Sequence, residues 1–179
     1  MTTRLLIVIG AAIVLAGINV SILGKEKIKR DGEVIYLELA PRDPRSLIQG
    51  DYMALRFQLA HDIESTWASV RNQVDSKASA AVTIGPNAAP FEGETRFVGV
   101  VLDEQRIAHL PAADVAATSS VKIRYRVRNN AAWLGSNAFF FEEGSAERYT
   151  SARYGEFRLD RRSGEAVLMG LRDEKLNAL

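Results

Sequence analysis

The side chains best equipped for acid–base chemistry in this chain are carboxylates. Glu142 and Glu143 stand together ahead of Gly144, and Asp51 or Asp160 could complete a pair with them. Two carboxylates that act as general acid and base must face one substrate cleft. Other chemistries have less to draw on. There is no cysteine, which excludes disulfides, thiolate metal sites and cysteine nucleophiles. His61 and His109 are the only histidines, a poor stock for a zinc site of the usual nitrogen and sulfur kind. One heads an expected helix and the other follows an expected strand, the settings of surface or capping histidines. No serine lies in a GxSxG context, so a serine–histidine triad lacks its nucleophile. No phosphate-binding loop or dinucleotide fingerprint occurs. No catalytic residue, cofactor or metal is expected.

The elements that would carry these residues begin with an apolar run. Leu5 to Leu23 is 19 residues without a charge, and at 1.5 Å per residue it covers about 28 Å, close to the hydrocarbon thickness of a bilayer. Its length, and the absence of an Ala-x-Ala pattern near its end, favour an uncleaved anchor over a signal peptide. The division expected is an anchor over 1–24, a juxtamembrane linker over 25–32 and one strand-rich domain over 33–179. Orientation draws on two opposed signals. Lys25, Lys27, Lys29 and Arg30 follow the run and would hold the domain in the cytoplasm by the positive-inside rule. The short tail containing Arg4 resembles the n-region of a signal-anchor, and on it the domain is expected outside the cytoplasm. Arg4 is the only charge in the first 23 residues, so the remainder carries 22 basic and 22 acidic side chains. That neutrality argues against a nucleic-acid binder.

Past residue 32 the pattern is α+β, mainly antiparallel sheet with one or two helices. Strands are expected at Glu33–Ala40, Tyr52–Leu59 and Ala81–Ile84, and hairpins at 96–109 and 154–171. Ile63, Trp67, Val70 and Val74 recur at helical spacing and predict a helix over 62–76. A short helix is expected over 145–151, and Phe139–Phe141 reads as a buried strand end. Val121–Arg128 alternates, with Val121, Ile123, Tyr125 and Val127 on one face and Lys122, Arg124, Arg126 and Arg128 on the other. In a neutral domain that basic strip is expected to pair with acids on neighbouring strands, Glu156 and Asp160 among them.

Pro44 followed by Gly50-Asp51 at a strand entry resembles the box of membrane signal peptidases, but no serine stands at the nucleophile position and the spacing is one residue too long. The same segment, Gly50-Asp51-Tyr52-Met53-Ala54-Leu55-Arg56-Phe57, resembles the GDYXXLXY family, departing only where Phe57 replaces the last tyrosine. The likeness extends upstream to Pro41-Arg42-Asp43-Pro44-Arg45-Ser46-Leu47. It extends downstream to Phe141-Glu142-Glu143-Gly144 and Ala152-Arg153-Tyr154-Gly155-Glu156-Phe157-Arg158. The resemblance implies a bacterial protein of the cytoplasmic membrane with no assigned activity, an accessory domain that accompanies an integral, polytopic membrane protein. The residues it marks are Arg42, Asp43, Arg45, Gly50, Asp51, Tyr52, Glu143, Arg153, Tyr154 and Glu156.

Period two puts Met53, Leu55 and Phe57 on an apolar face, with Tyr52 and Arg56 opposite. Asp51 is suited to accept backbone N–H bonds in a turn at Gly50. Arg42, Arg45 and Arg153 are expected to pair with Asp43, Asp51, Glu143 or Glu156, either as structural locks or as the lining of a polar groove. Two functions follow: a non-enzymatic, membrane-anchored accessory module, or a hydrolase acting through carboxylates of the GDY and EEG segments. Carboxylates neutralised by arginines would favour the first, and carboxylates clustered in a cleft without basic partners the second.

Overall fold

The computed structural model describes residues 2–40, 52–76, 91–111 and 120–179. Helix α1, Thr2–Asp31, contains the apolar run and continues unbroken through the charged residues after it. Among the described residues it is the one helix long and apolar enough to cross a membrane. The expected linker at 25–32 is therefore helical almost to its end. Lys, Glu and Arg are good helix formers, Lys29 pairs with Glu26 one turn away at 2.9 Å, and the first breaker is Gly32.

The strands are β1 Glu33–Glu38, β2 Tyr52–Ala54, β3 Thr95–Leu102, β4 Ala108–His109, β5 Val121–Arg128, β6 Ala131–Trp133, β7 Ala138–Phe140, β8 Tyr154–Asp160 and β9 Glu165–Arg172; helix α2 is Gln58–Ser76. They form three antiparallel sheets, β1-β8-β9, β2-β7 and β4-β3-β5-β6. The chain is thus α+β, as expected. Single bridges join the sheets. Tyr36 meets Ile107 in parallel and Leu39 meets Phe57 antiparallel. At the far side the Arg124 N–H donates to Gly164 O at 2.6 Å, so the strand array curls back upon itself.

Local chemistry sets the turns. Asn129 and Asn130 both have positive φ, 51° and 56°, which suits a two-residue hairpin loop and which asparagine tolerates. Asp160 closes the β8–β9 turn by accepting from Ser163 Oγ at 2.7 Å and the Arg162 N–H at 3.1 Å. Both expected hairpins are present. The core gathers Ile35 and Leu37 of β1, Met53, Leu55 and Phe57, Ile63 and Trp67 of α2, Ile123 and Val127 of β5, and Phe157 and Leu159 of β8. Phe57 meets Phe157 edge-on at 5.3 Å, and Trp67 stacks on Tyr125 at 6.0 Å.

Two expectations are corrected. The strand expected to reach Leu59 stops at Ala54. The chain stays extended to Phe57, and the helix starts at Gln58 rather than Asp62. Leu59 fits period two after Phe57 and also helical spacing before Ile63; burial of Leu59, Ala60 and Ile63 on one helical face decides for the helix. Of the phenylalanine run, Phe139 and Phe141 are partly buried, but Phe140 points the other way on β7 and is 74% exposed. The short helix is a 3-10 turn, Ala146–Tyr149. The strand expected at 81–84, and the side chains of Val70 and Val74, lie outside the described residues.

Candidate functional site

Five of the ten marked residues, Arg42, Asp43, Arg45, Gly50 and Asp51, lie outside the described residues. The other five fall in three places. Tyr52 opens β2, partly exposed as expected, its ring 5.7 Å from that of Phe140, its partner across the ladder. Glu143 stands exposed in the turn between Glu142 and Ser145. Arg153, Tyr154 and Glu156 run along the start of β8. The Arg153 N–H donates to Arg172 O and its carbonyl accepts from the Leu39 N–H, both at 2.8 Å. Burial pushes the Tyr154 phenol up.

The motif segments meet through the end of β1. Leu39 reaches Arg153 O while the Ala40 N–H reaches Arg56 O at 2.9 Å, so the GDY strand and the RYGE strand lie on either side of Leu39–Ala40. A Cβ on Gly155 would collide with the rings of Phe57 and Phe157. The small residue at 155 and the aromatic residue at 57 therefore belong together. Phe57 is 1% exposed, and its ring fills its place without the hydroxyl of the family's tyrosine. This part of the motif builds core.

The carboxylates are met by cations. Glu156, 8% exposed, takes the Arg172 guanidinium, with Nε at 2.6 Å. This corrects the expectation of an Arg153 or β5 partner. Glu33 binds Arg161 and Arg106, and the Arg161 guanidinium holds its carboxyl below the usual range. Glu94 binds Arg96 at 2.9 Å and Glu64 binds Arg56 at 3.4 Å. His61 is exposed on α2, and exposed His109 lies 3.4 Å from Asp103. Among the described residues no group of three or more histidines and carboxylates is placed to hold a metal ion.

The basic strip behaves differently from expectation. Neither Glu156 nor Asp160 serves it, since the first is bound to Arg172 and the second closes its own turn. Among the described residues, the one member of the strip that meets an acid is Arg124, with Glu165 on β9 at 3.0 Å. Arg126 Nε donates to Gly93 O at 3.3 Å, and Arg128 lies 5.3 Å over the Trp133 ring. Lys25 of α1 reaches the same Glu165. Around these groups opens a groove of about 610 Å³, lined by Lys25, Arg124, Arg126, Arg128, Trp133 and Glu165 among others. Trp133 was legible as its member: it lies three residues beyond the Asn129-Asn130 turn, and counting outward from that turn sets it opposite Arg126. Glu165 and Lys25 were not, because both come from distant elements.

A family model described as GDYXXLXY protein matches residues 14–171. The match begins inside α1, so the later part of the helix and the sheets fall within one family unit. No curated protein and no solved structure matches the chain.

Proposed function

The chain belongs to the GDYXXLXY family, and on that premise we propose that it is a non-enzymatic accessory module, anchored in the bacterial cytoplasmic membrane by α1 and working beside an integral membrane protein. One observation carries the reading. The helix long enough to cross a bilayer runs without interruption into the sheet domain and is fastened there. Lys25 binds Glu165, and Arg158 donates to Gly32 O at 3.2 Å. A domain so fastened stays at the membrane surface, where it can meet a neighbour that spans the bilayer. The pairing of Glu156 with Arg172 and the exposure of Glu143 give the hydrolase reading less support.

The helix also offers a face for that neighbour. Gly10, Gly17 and Gly24 recur every seven residues, a spacing that returns to within about 20° of the same face. A Cβ at any of them would meet nothing within 4 Å, so the stripe is open to a closely packed second helix. Two measurements test the reading. The full chain should resist alkaline carbonate extraction from membranes, and a variant with Ala11→Arg and Val14→Arg should be released, each central charge costing about 3 kcal/mol in the bilayer. A photocrosslinker at Ile13, beside the glycine face, should capture an integral membrane protein that one at Leu15, on the opposite face, does not. Release of the unaltered chain by carbonate would sink the anchor, and equal capture from both positions would sink the glycine-face contact.

A further inference from the structure

The outer face of β3, β5 and β6 combines cations with exposed Phe97 and half-buried Trp133, and Lys25 of α1 lines the groove beside Trp133. Phe97 lies directly opposite Arg124 in the β3–β5 register, hence on the same face, and is 58% exposed. Trp133 lies opposite Arg126 and supports Arg128. The groove beside Trp133 holds four cationic side chains and a single carboxylate, leaving three positive charges in excess. That carboxylate, Glu165, is shared between Lys25 and Arg124, so Arg126 and Arg128 are the cations left for a ligand. Guanidinium forks match phosphate oxygens in geometry and charge.

Lys25 sets the depth of the groove. It is the second residue after Leu23, where the apolar run ends, and two residues of helix rise about 3 Å. The headgroup layer beyond the hydrocarbon is roughly 5–7 Å thick. A groove that includes Lys25 therefore opens at the level of lipid phosphates, and Phe97 and Trp133 are the kind of rings that settle at that interface.

We propose that this groove binds the phosphate of an anionic phospholipid headgroup, with Arg126 and Arg128 as its ligands and the Lys25–Glu165–Arg124 chain holding the groove against the end of α1. The inference rests on the membrane anchoring argued above. Lys122 provides the internal control, being exposed on the same strand face but outside the groove.

The test is retention of lipid by the full chain in neutral detergent micelles, read by native mass spectrometry. Phosphatidylglycerol should be retained in preference to phosphatidylcholine. Arg126→Gln should weaken retention about fivefold and the double variant with Arg128→Gln about thirty-fold, the effect of one and two interfacial cations. Lys122→Gln should leave it unchanged. All three positions are exposed, so the variants should keep the parent's circular dichroism and melting temperature. Equal loss from Lys122→Gln and Arg126→Gln would mean diffuse adsorption and overturn the site, as would equal retention of the two lipids. Glycerol 3-phosphate bound as tightly as phosphatidylglycerol would support the phosphate site and assign it a soluble source. Because retention is read in micelles, its failure leaves the carbonate result standing, and the converse holds.

Discussion

Glu156 carries a charge into a buried position on β8, between Gly155 and Phe157, at the point where the β8–β9 register shifts. Its compensation is Arg172, diagonal to it across that ladder, whose side chain keeps 25% of its exposure. A buried pair returns little net stability when whole but is costly to break, because the survivor stays desolvated and unmatched. Glu156→Gln should therefore destabilise the full chain by about 2–3 kcal/mol, at the low end for buried pairs because Arg172 retains some water. A thermal melt should show a fall of roughly 5–10 °C for a chain of this size. Adding Arg172→Met should restore most of the loss. A single variant that melts with the parent would make the pair dispensable. The partner of Glu156 was within reach of sequence reasoning, since a hairpin turning at Arg161–Gly164 and counted outward brings the ends of β8 and β9 together. Arg172 lies outside the motif segments, and nothing in those segments points to it. The alternation Met53, Leu55, Phe57 is legible in the sequence, and all three are buried, since a strand entry with one buried face leaves no other register. The role of Phe57 against Gly155 was not readable, because the contact joins residues about a hundred positions apart.

At the scale of elements, the joint between α1 and the sheets decides how the domain sits on the long apolar helix. Lys25 of the helix binds Glu165, which Arg124 of β5 also holds, and Glu33, where β1 begins just after the helix, binds Arg161 and Arg106. Gly32 permits the join, since a Cβ there would collide with Ile28 O and Arg158. The sequence between residues 25 and 31 reads as a linker because its charges exclude it from the bilayer; nothing local says that Glu165 and Arg158 wait to receive it. The Glu33 carboxyl, held low by the hydrogen bond from Arg161 and by the charges of Arg161 and Arg106, gives this joint a pH dependence of fixed sign. Its folded pKa lies below its unfolded value near 4.3, so its contribution is complete above about pH 4.3 and is lost as the pH falls through the lowered value. Melting temperatures of the full chain in detergent, taken from pH 7 down to pH 3, should fall more steeply in acid than those of Glu33→Gln. Other carboxylates held low, such as Asp160 and Asp173, contribute to both curves and cancel in the difference. Parallel curves would show that Glu33 adds nothing to the joint.

For the whole molecule, the proposed anchoring allows two orientations of the domain, and the charges around the apolar run bear on which is adopted. The basic residues from Lys25 to Arg30 favour the cytoplasm, and in the folded chain several are engaged: Lys25 with Glu165, Lys29 with Glu26 and Arg30 with Asp31. That pairing arises after insertion and carries no weight while the chain is being oriented, when positive residues count and nearby acids count little. What opposes them is the long domain carried after the helix. Long domains translocate largely regardless of their charge, and this one, with 22 cations against 22 anions after Leu23, has no net charge for the membrane potential to hold back. The domain is therefore expected outside the cytoplasm. A reporter that works only after export, fused behind Leu179, should be active, and a reporter that works only in the cytoplasm should be silent. Arg4→Gln should shift some of the population toward the opposite orientation, because it removes the charge that retains the leading end. If instead the cytoplasmic reporter alone is active, the basic flank after the helix governs topology and the domain faces the cell interior.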